Sequence, residues 1–209
     1  CFLSGKLLYN TSSYLMSEIF PKHYTTARLL GTFRAFRNRN YRLLWMCTLF
    51  LSTSCWMQVT LLGWLVLELT DSPLLVSLVG FSLFLPLLLF GLIGGFLTDQ
   101  IDKRKLIIMS NLISLVAASL MMIQLIAGVE KFWHAYVTIL FVGIGWSLEM
   151  PSRRAFVHDL LGSEGVANGL ALDYIAISTS FILGPSLGGV LITIAGVAGG
   201  YLAVVVFYA

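Results

Sequence analysis

Between Asp99 and Lys105 the chain carries two carboxylates, Asp99 and Asp102, and three bases, Lys103, Arg104 and Lys105, shortly after Gly95. Charges of both signs this close together can exchange partners, so such a segment can latch one conformation and release another. The bases also have a plainer use, which is to fix the orientation of apolar segments beside them. Residue types alone leave both readings open. Asp173 lies inside the apolar run Ala167–Ala195, where a carboxylate is costly unless it meets water, a cation or a proton. Burial disfavours its ionised form, which makes it a candidate proton carrier; the alternative is an acid facing an aqueous vestibule. Gln58, with Trp56 close by, falls near the middle of the run Leu43–Leu67. A buried amide needs a partner, so Gln58 either lines a polar cavity with Trp56 or bonds a neighbouring helix. Glu149 stands just before Pro151 and is expected in solvent or paired with an arginine.

The elements that must position these residues are long and apolar. Spans are expected at about 43–67, 73–97, 106–128, 132–150, 167–195 and 197–209, after a basic leader at 1–42. Hydrophobic residues make up 58% of the chain and charged ones 11%, against about 25% charged in soluble domains. The runs are continuous rather than alternating, which points to helices of roughly 20 residues and not to a barrel. Numbering the gaps between runs sorts the bases: twelve of the thirteen Lys and Arg residues fall in the leader and the even gaps, and Lys131 alone falls in an odd gap. Basic residues collect in cytoplasmic loops, so an all-α membrane protein with a cytoplasmic N-terminus is expected. The last run stops at Ala209 after about thirteen apolar residues, short of a crossing, and the first residue is Cys1. Six helices are accordingly expected to be half of a larger protein.

Several function classes find no support. The net charge of +3 resides mostly in the leader, where arginines beside a span fix orientation and meet anionic lipid, so no nucleic-acid partner is expected. Cys47 and Cys55 lie in an apolar run and are expected to pack. His23, His134 and His158 are scattered, there is no phosphate-binding loop, and no nucleophile elbow is present. Neither a metal, a cofactor nor a catalytic residue is expected.

Gly184 and Gly188 are four residues apart, as are Gly91 and Gly95. Each pair is expected to lay a bare groove on one helix face for close packing, with Pro185 bending the helix beside it. The glycine runs fall in the second and fifth spans, the middle helices of two consecutive three-helix units. An odd number of spans per unit inverts the second relative to the first, as in secondary transporters.

The stretch Gly95–Lys105 resembles the signature loop of the major facilitator superfamily. Gly95, Asp99, Lys103 and Arg104 match the pattern, while Gln100 stands where a base is usual and Asp102 where glycine is usual. Phe36–Trp45, Pro151–Phe156 and Gly184-Pro185-Ser186-Leu187-Gly188-Gly189 resemble the drug/proton antiporter branch that contains macrolide and enterobactin exporters. The resemblance implies the N-terminal half of a twelve-helix fold in a bacterial plasma membrane. It also implies a small-molecule substrate, a coupling proton, and a C-terminal six-helix half as partner. Within it, Gly95, Asp99, Asp102, Lys103–Lys105, Arg153 and Arg154 would form a gating region. An uptake permease of the same fold, a membrane-embedded enzyme and a non-transporting scaffold or sensor half are the alternatives. Cysteine labelling is expected to place positions beside Lys103 and Arg154 in the cytoplasm and those beside Asp71 and Lys131 outside. Impermeant reagent reaching position 104 from outside would refute the span count.

Overall fold

The computed structural model describes residues 33–209; residues 1–32, and the side chains at 33–34 and 92–100, lie outside the described residues. Most of the basic leader and the Gly95 and Asp99 side-chain positions are among these. A 3-10 turn, Phe33–Arg37, precedes α1, Arg39–Thr70. Then come α2, Pro73–Gln100, α3, Lys103–Ala127, and the helical run α4, Phe132–Tyr208. All four are long and apolar enough to cross a membrane, and no strand occurs among the described residues.

The turns follow from local chemistry. Asn38 caps α1 by accepting from the Asn40 amide, and the helix ends with Asp71 in the left-handed region (φ 51°). The next helix begins at Pro73, a residue suited to the first helical position. Gly128 closes α3 at φ 65°, its amide donating to Leu125 O while Val129 N donates to Gln124 O. That pair of bonds satisfies carbonyls a helix end leaves open. The loop expected over Asp99–Lys105 is shorter than its composition suggests. Only Ile101 and Asp102 separate α2 from α3, and Asp102 caps α3 by accepting from Arg104 N at 3.0 Å.

Gly162 (φ 68°, ψ 179°) and Gly196 (φ 69°, ψ −178°) leave the helical region inside α4, in a conformation essentially confined to glycine. They divide α4 into segments α4a (132–161), α4b (163–195) and α4c (197–208). The chain turns back at both. Gly169 lies against Val157 and Leu161, which one straight helix would hold about 18 Å apart along its axis in the first case. Ser180 and Val204 both reach the Thr53–Ser54 level of α1, one on each side of Gly196. The Pro151–Glu164 stretch, expected as a polar loop, is helical through Leu161. Pro151 removes one backbone donor, and the Glu149–Arg153 ion pair straddles it within the same turn.

Two pairs of parallel segments carry the bundle. On one, Tyr41 of α1 donates to Gly169 O (2.7 Å) of α4b, Trp45 Nε1 to Leu172 O (2.9 Å), and Thr53 Oγ1 to Ser180 Oγ (3.1 Å). On the other, Tyr136 of α4a donates to Leu75 O (2.8 Å) of α2, and Gly143 lies against Leu83 and Pro86 further along. Segment α4c returns antiparallel to α1: Gly200 touches Leu61, Gln58 Nε2 donates to the Tyr201 hydroxyl (3.2 Å), and Ser54 Oγ donates to Val204 O (3.0 Å). Met57, Leu61, Leu62, Val79, Leu83, Met121 and Ile139 fill the centre.

The glycines expected to pack helices divide. A Cβ on Gly184 would stand 2.6 Å from Trp56 Cβ, 2.9 Å from Met57 N and 2.9 Å from Thr53 O; one on Gly188 would come no closer than 3.3 Å, to Met57 Cγ. Gly91 and Gly189 face open space, with nothing within 4 Å, and so take no part in this contact. Gly184→Ala is therefore expected to lower thermal stability markedly, by about 1–3 kcal/mol as for overpacking, and Gly188→Ala by clearly less. Thermal unfolding in detergent checks the order, and equal losses would show that the α1–α4b approach at Gly184 is not the tight one.

Candidate functional site

The ionisable groups inside the bundle gather at the end where α1 and α3 begin. Arg153 on α4a is 7% exposed, Glu149 one turn before it 7%, and Asp173 on α4b 4%. Arg153 Nη2 pairs with Glu149 Oε1, and Gly169, one turn before Asp173, packs on Val157, one turn after Arg153, which places Asp173 on the turn of α4b alongside Arg153. Asp173 Oδ1 is buried with no hydrogen-bond partner. It follows Leu172, whose carbonyl takes the Trp45 bond, so the tight α1–α4b contact fixes its depth. Two buried carboxylates and one buried cation thus lie at this end of the bundle, shielded from solvent.

Two spaces adjoin this cluster. A cleft of about 950 Å³ is lined by Cys47, Thr48, Arg104, Asn111, Glu149 and Arg153 among others. A small internal space of about 20 Å³ touches Ser52, Cys55, Trp56, Ser114, Glu149 and Tyr208, a size that holds one water. Glu149 lines both. Trp56 leads from here to an aromatic group, its ring 3.8 Å from that of Phe181 and edge-on to Trp146 at 6.3 Å, with Phe84 5.7 Å beyond Trp146.

The residues singled out in the sequence are not brought to one place. Asp173 and Arg153 are both buried, on adjacent segments, and Arg154 is exposed. Gln58 is fully buried, bonded to Tyr201 and accepting from the Tyr208 hydroxyl at 3.5 Å, so the helix-bonding alternative describes it and Trp56 alone of the two lines a cavity. Asp102 is a helix cap, Lys105 is exposed, and Lys103 Nζ bridges to Asp159 Oδ2 at 2.7 Å. That bridge ties the start of α3 to the end of α4a across 56 residues, which no local spacing signals. The Glu149–Arg153 pair did carry a signal, the i,i+4 spacing of opposite charges. Gly95 and Asp99 lie outside the described residues. Among the described residues no group of His, Cys, Asp and Glu has metal-binding geometry.

Residues 30–209 match the family model described as transmembrane secretion effector, a group of major facilitator proteins. The chain belongs to that superfamily. Its relatives include an uncharacterized MFS-type transporter, YfiS, of Bacillus subtilis (strain 168), 28% identical over 60% of this chain and 29% of that protein. The multidrug efflux pump Tap of Mycolicibacterium fortuitum is 30% identical over 64% of this chain and 34% of the pump. Macrolide efflux protein A of Streptococcus pyogenes is 26% identical over 69% of this chain and 35% of that protein. The chain spans about a third of the length of the curated relatives it matches. A major facilitator transporter with apolar helices is a membrane-embedded protein, and efflux pumps are among its kin.

The cluster gives a stability prediction. Arg153→Leu leaves the buried Glu149 carboxylate without its cation and is expected to cost about 3–5 kcal/mol, whereas Arg154→Leu, on the exposed side, should change stability little. Thermal unfolding of the two variants side by side checks this, and equal stability would mean that the pair is solvated.

Proposed function

We propose that this chain is the N-terminal six-helix half of a twelve-helix, proton-coupled exporter of amphipathic small molecules that works by alternating access. The observation that carries the proposal is the family match over residues 30–209, with multidrug and macrolide efflux proteins among the relatives. The geometry adds support. The non-helical residues Gly162 and Gly196 interrupt the last helical run, which supports a reading of six spans. Their pairing also repeats: Tyr41 near the start of the first segment bonds the backbone near the start of the fifth, and Tyr136 near the start of the fourth bonds the backbone near the start of the second. Two three-helix repeats of inverted orientation would pair in this way.

In this reading the N-terminus is cytoplasmic and the protein sits in a bacterial inner membrane. Substrate meets the aromatic surface of Trp56, Trp146, Phe84 and Phe181, against which a large apolar molecule stacks well. Asp173 takes up the coupling proton. Asp99 and Lys103–Lys105 latch one conformation against the C-terminal half, with Lys103–Asp159 and Arg153 on this half's side of the gate. Gly184 and Gly188 keep α1 and α4b together while the halves rock.

Inverted membrane vesicles holding the intact transporter test the direction and the drive. An imposed proton gradient should accumulate a macrolide or a lipophilic dye inside them, and collapse of the gradient should release it. Asp99→Asn is expected to cut the initial rate by roughly tenfold or more, the size of a 1.4 kcal/mol change in a conformational balance, with unchanged membrane insertion. Gradient-independent accumulation would exclude proton coupling, and unchanged transport in the variant would reduce the segment to a topology signal.

A further inference from the structure

The proton-handling unit suggested by the buried cluster is larger than one acid. Glu149 and Asp173 sit on different segments, α4a and α4b; Arg153 pairs with Glu149, and the packing of Gly169 on Val157 sets the Asp173 turn of α4b beside the Arg153 turn of α4a. All three are more than nine-tenths buried. Among the described residues, the other titratable or charged groups near them are Tyr41 and Cys47 of α1, Cys55 of α1 and Tyr208 of α4c at the smaller space, and Arg104 of α3 at the larger cleft. Of these Arg104 is the only cation, and it is solvent-exposed. An uncompensated charge in such a place costs several kcal/mol. Among the described residues one buried cation balances one carboxylate, which favours the neutral form of the second.

We propose that Glu149 and Asp173 form a two-carboxylate site that holds one exchangeable proton, with Arg153 pairing with whichever carboxylate is ionised. The arrangement seen is one of its two states. Arg153 pairs with Glu149, and Asp173, with Oδ1 free of partners, carries the proton. In the other state an O–H bond forms on Glu149, the one on Asp173 is broken, and the guanidinium swings to Asp173; the proton count is unchanged. Because the two carboxylates lie on either side of the Gly162 turn, the exchange moves the pairing from within α4a to between α4a and α4b. Such a site titrates as a pair, not as either residue alone. The inference deepens the proton-coupled reading and rests on it only for the use made of the proton.

Difference infrared spectroscopy of the intact transporter in nanodiscs, without substrate, tests the site independently of transport. Near neutral pH the wild-type protein should show a buried protonated-carboxyl band, and raising the pH through its loss should shift the guanidinium bands in the same step. Asp173→Asn should abolish the band. Glu149→Gln should abolish it as well, because Asp173 then ionises against Arg153. A wild type without the band, or a titration that leaves the guanidinium bands unmoved, would overturn the proposal even if both variants failed to fold. A band that persists at full strength in Glu149→Gln would also overturn it, by showing that Asp173 holds its proton alone. Failure of vesicle transport with these spectra intact would count against the transport reading and leave the two-carboxylate site standing.

Discussion

The close approach of α1 to α4b is the constraint on which the rest of the bundle depends. Lipid tails are as apolar as leucine, so helices in a membrane associate through packing and hydrogen bonds and not through hydrophobic burial. Gly184 brings α4b within reach of the α1 backbone at Met57 and Thr53. The bonds from Tyr41, Trp45 and Thr53 all need that distance. Asp173 lies between the Trp45 and Thr53 contacts, and its burial follows from them. A side chain at Gly184 would open the whole interface, including the carboxylate's site. The same contact stacks Trp56 on Phe181, so the buried acid and the aromatic surface share one support.

The apolar helices were legible in the sequence, because apolar run length reports directly on a helix in lipid. The starts at Pro73 and Phe132 and the stop at Gly128 follow from local residues. Gly196 falls in the gap expected between the last two spans. What stayed hidden was structure made by partners far apart in the chain. Polarity made Pro151–Glu164 look like a loop, yet the Glu149–Arg153 pair and the packing of Val157 against Leu172 and Tyr41 keep it helical through Leu161. Spacing marked Gly184 and Gly188 but equally marked Gly91, which meets nothing. Four-residue spacing says which residues share a face and not what that face meets. Gln58 shows the same limit: its need for partners was readable, but the partners, Tyr201 and Tyr208, come from a segment more than 140 residues away.

The two tyrosine bonds show how unequal the two parallel pairs have become. Tyr41 and Tyr136 each tie a segment's start to a partner backbone, and each pair is closed further along by a glycine contact. Up to this point the pairs correspond. They differ in what lies between the tie and the glycine. The α1–α4b pair encloses Asp173, whereas every described side chain of α2 from Pro73 to Gly91 is uncharged. A buried carboxylate lowers the stability of whatever encloses it unless a cation comes with it. Arg153 is supplied from α4a, the other pair, across the turn at Gly162. It is paired within α4a to Glu149, and any motion that shifts one pair against the other changes the separation of Arg153 and Asp173. Coulomb energy in a shielded site is steep in distance, about 4 kcal/mol at 4 Å for an effective dielectric near 20. A displacement of a few ångströms is thus enough to change which carboxylate is the better partner. In the proposed two-carboxylate site, proton position and segment position would be coupled by electrostatics alone, the physical link a proton-driven rocking mechanism requires.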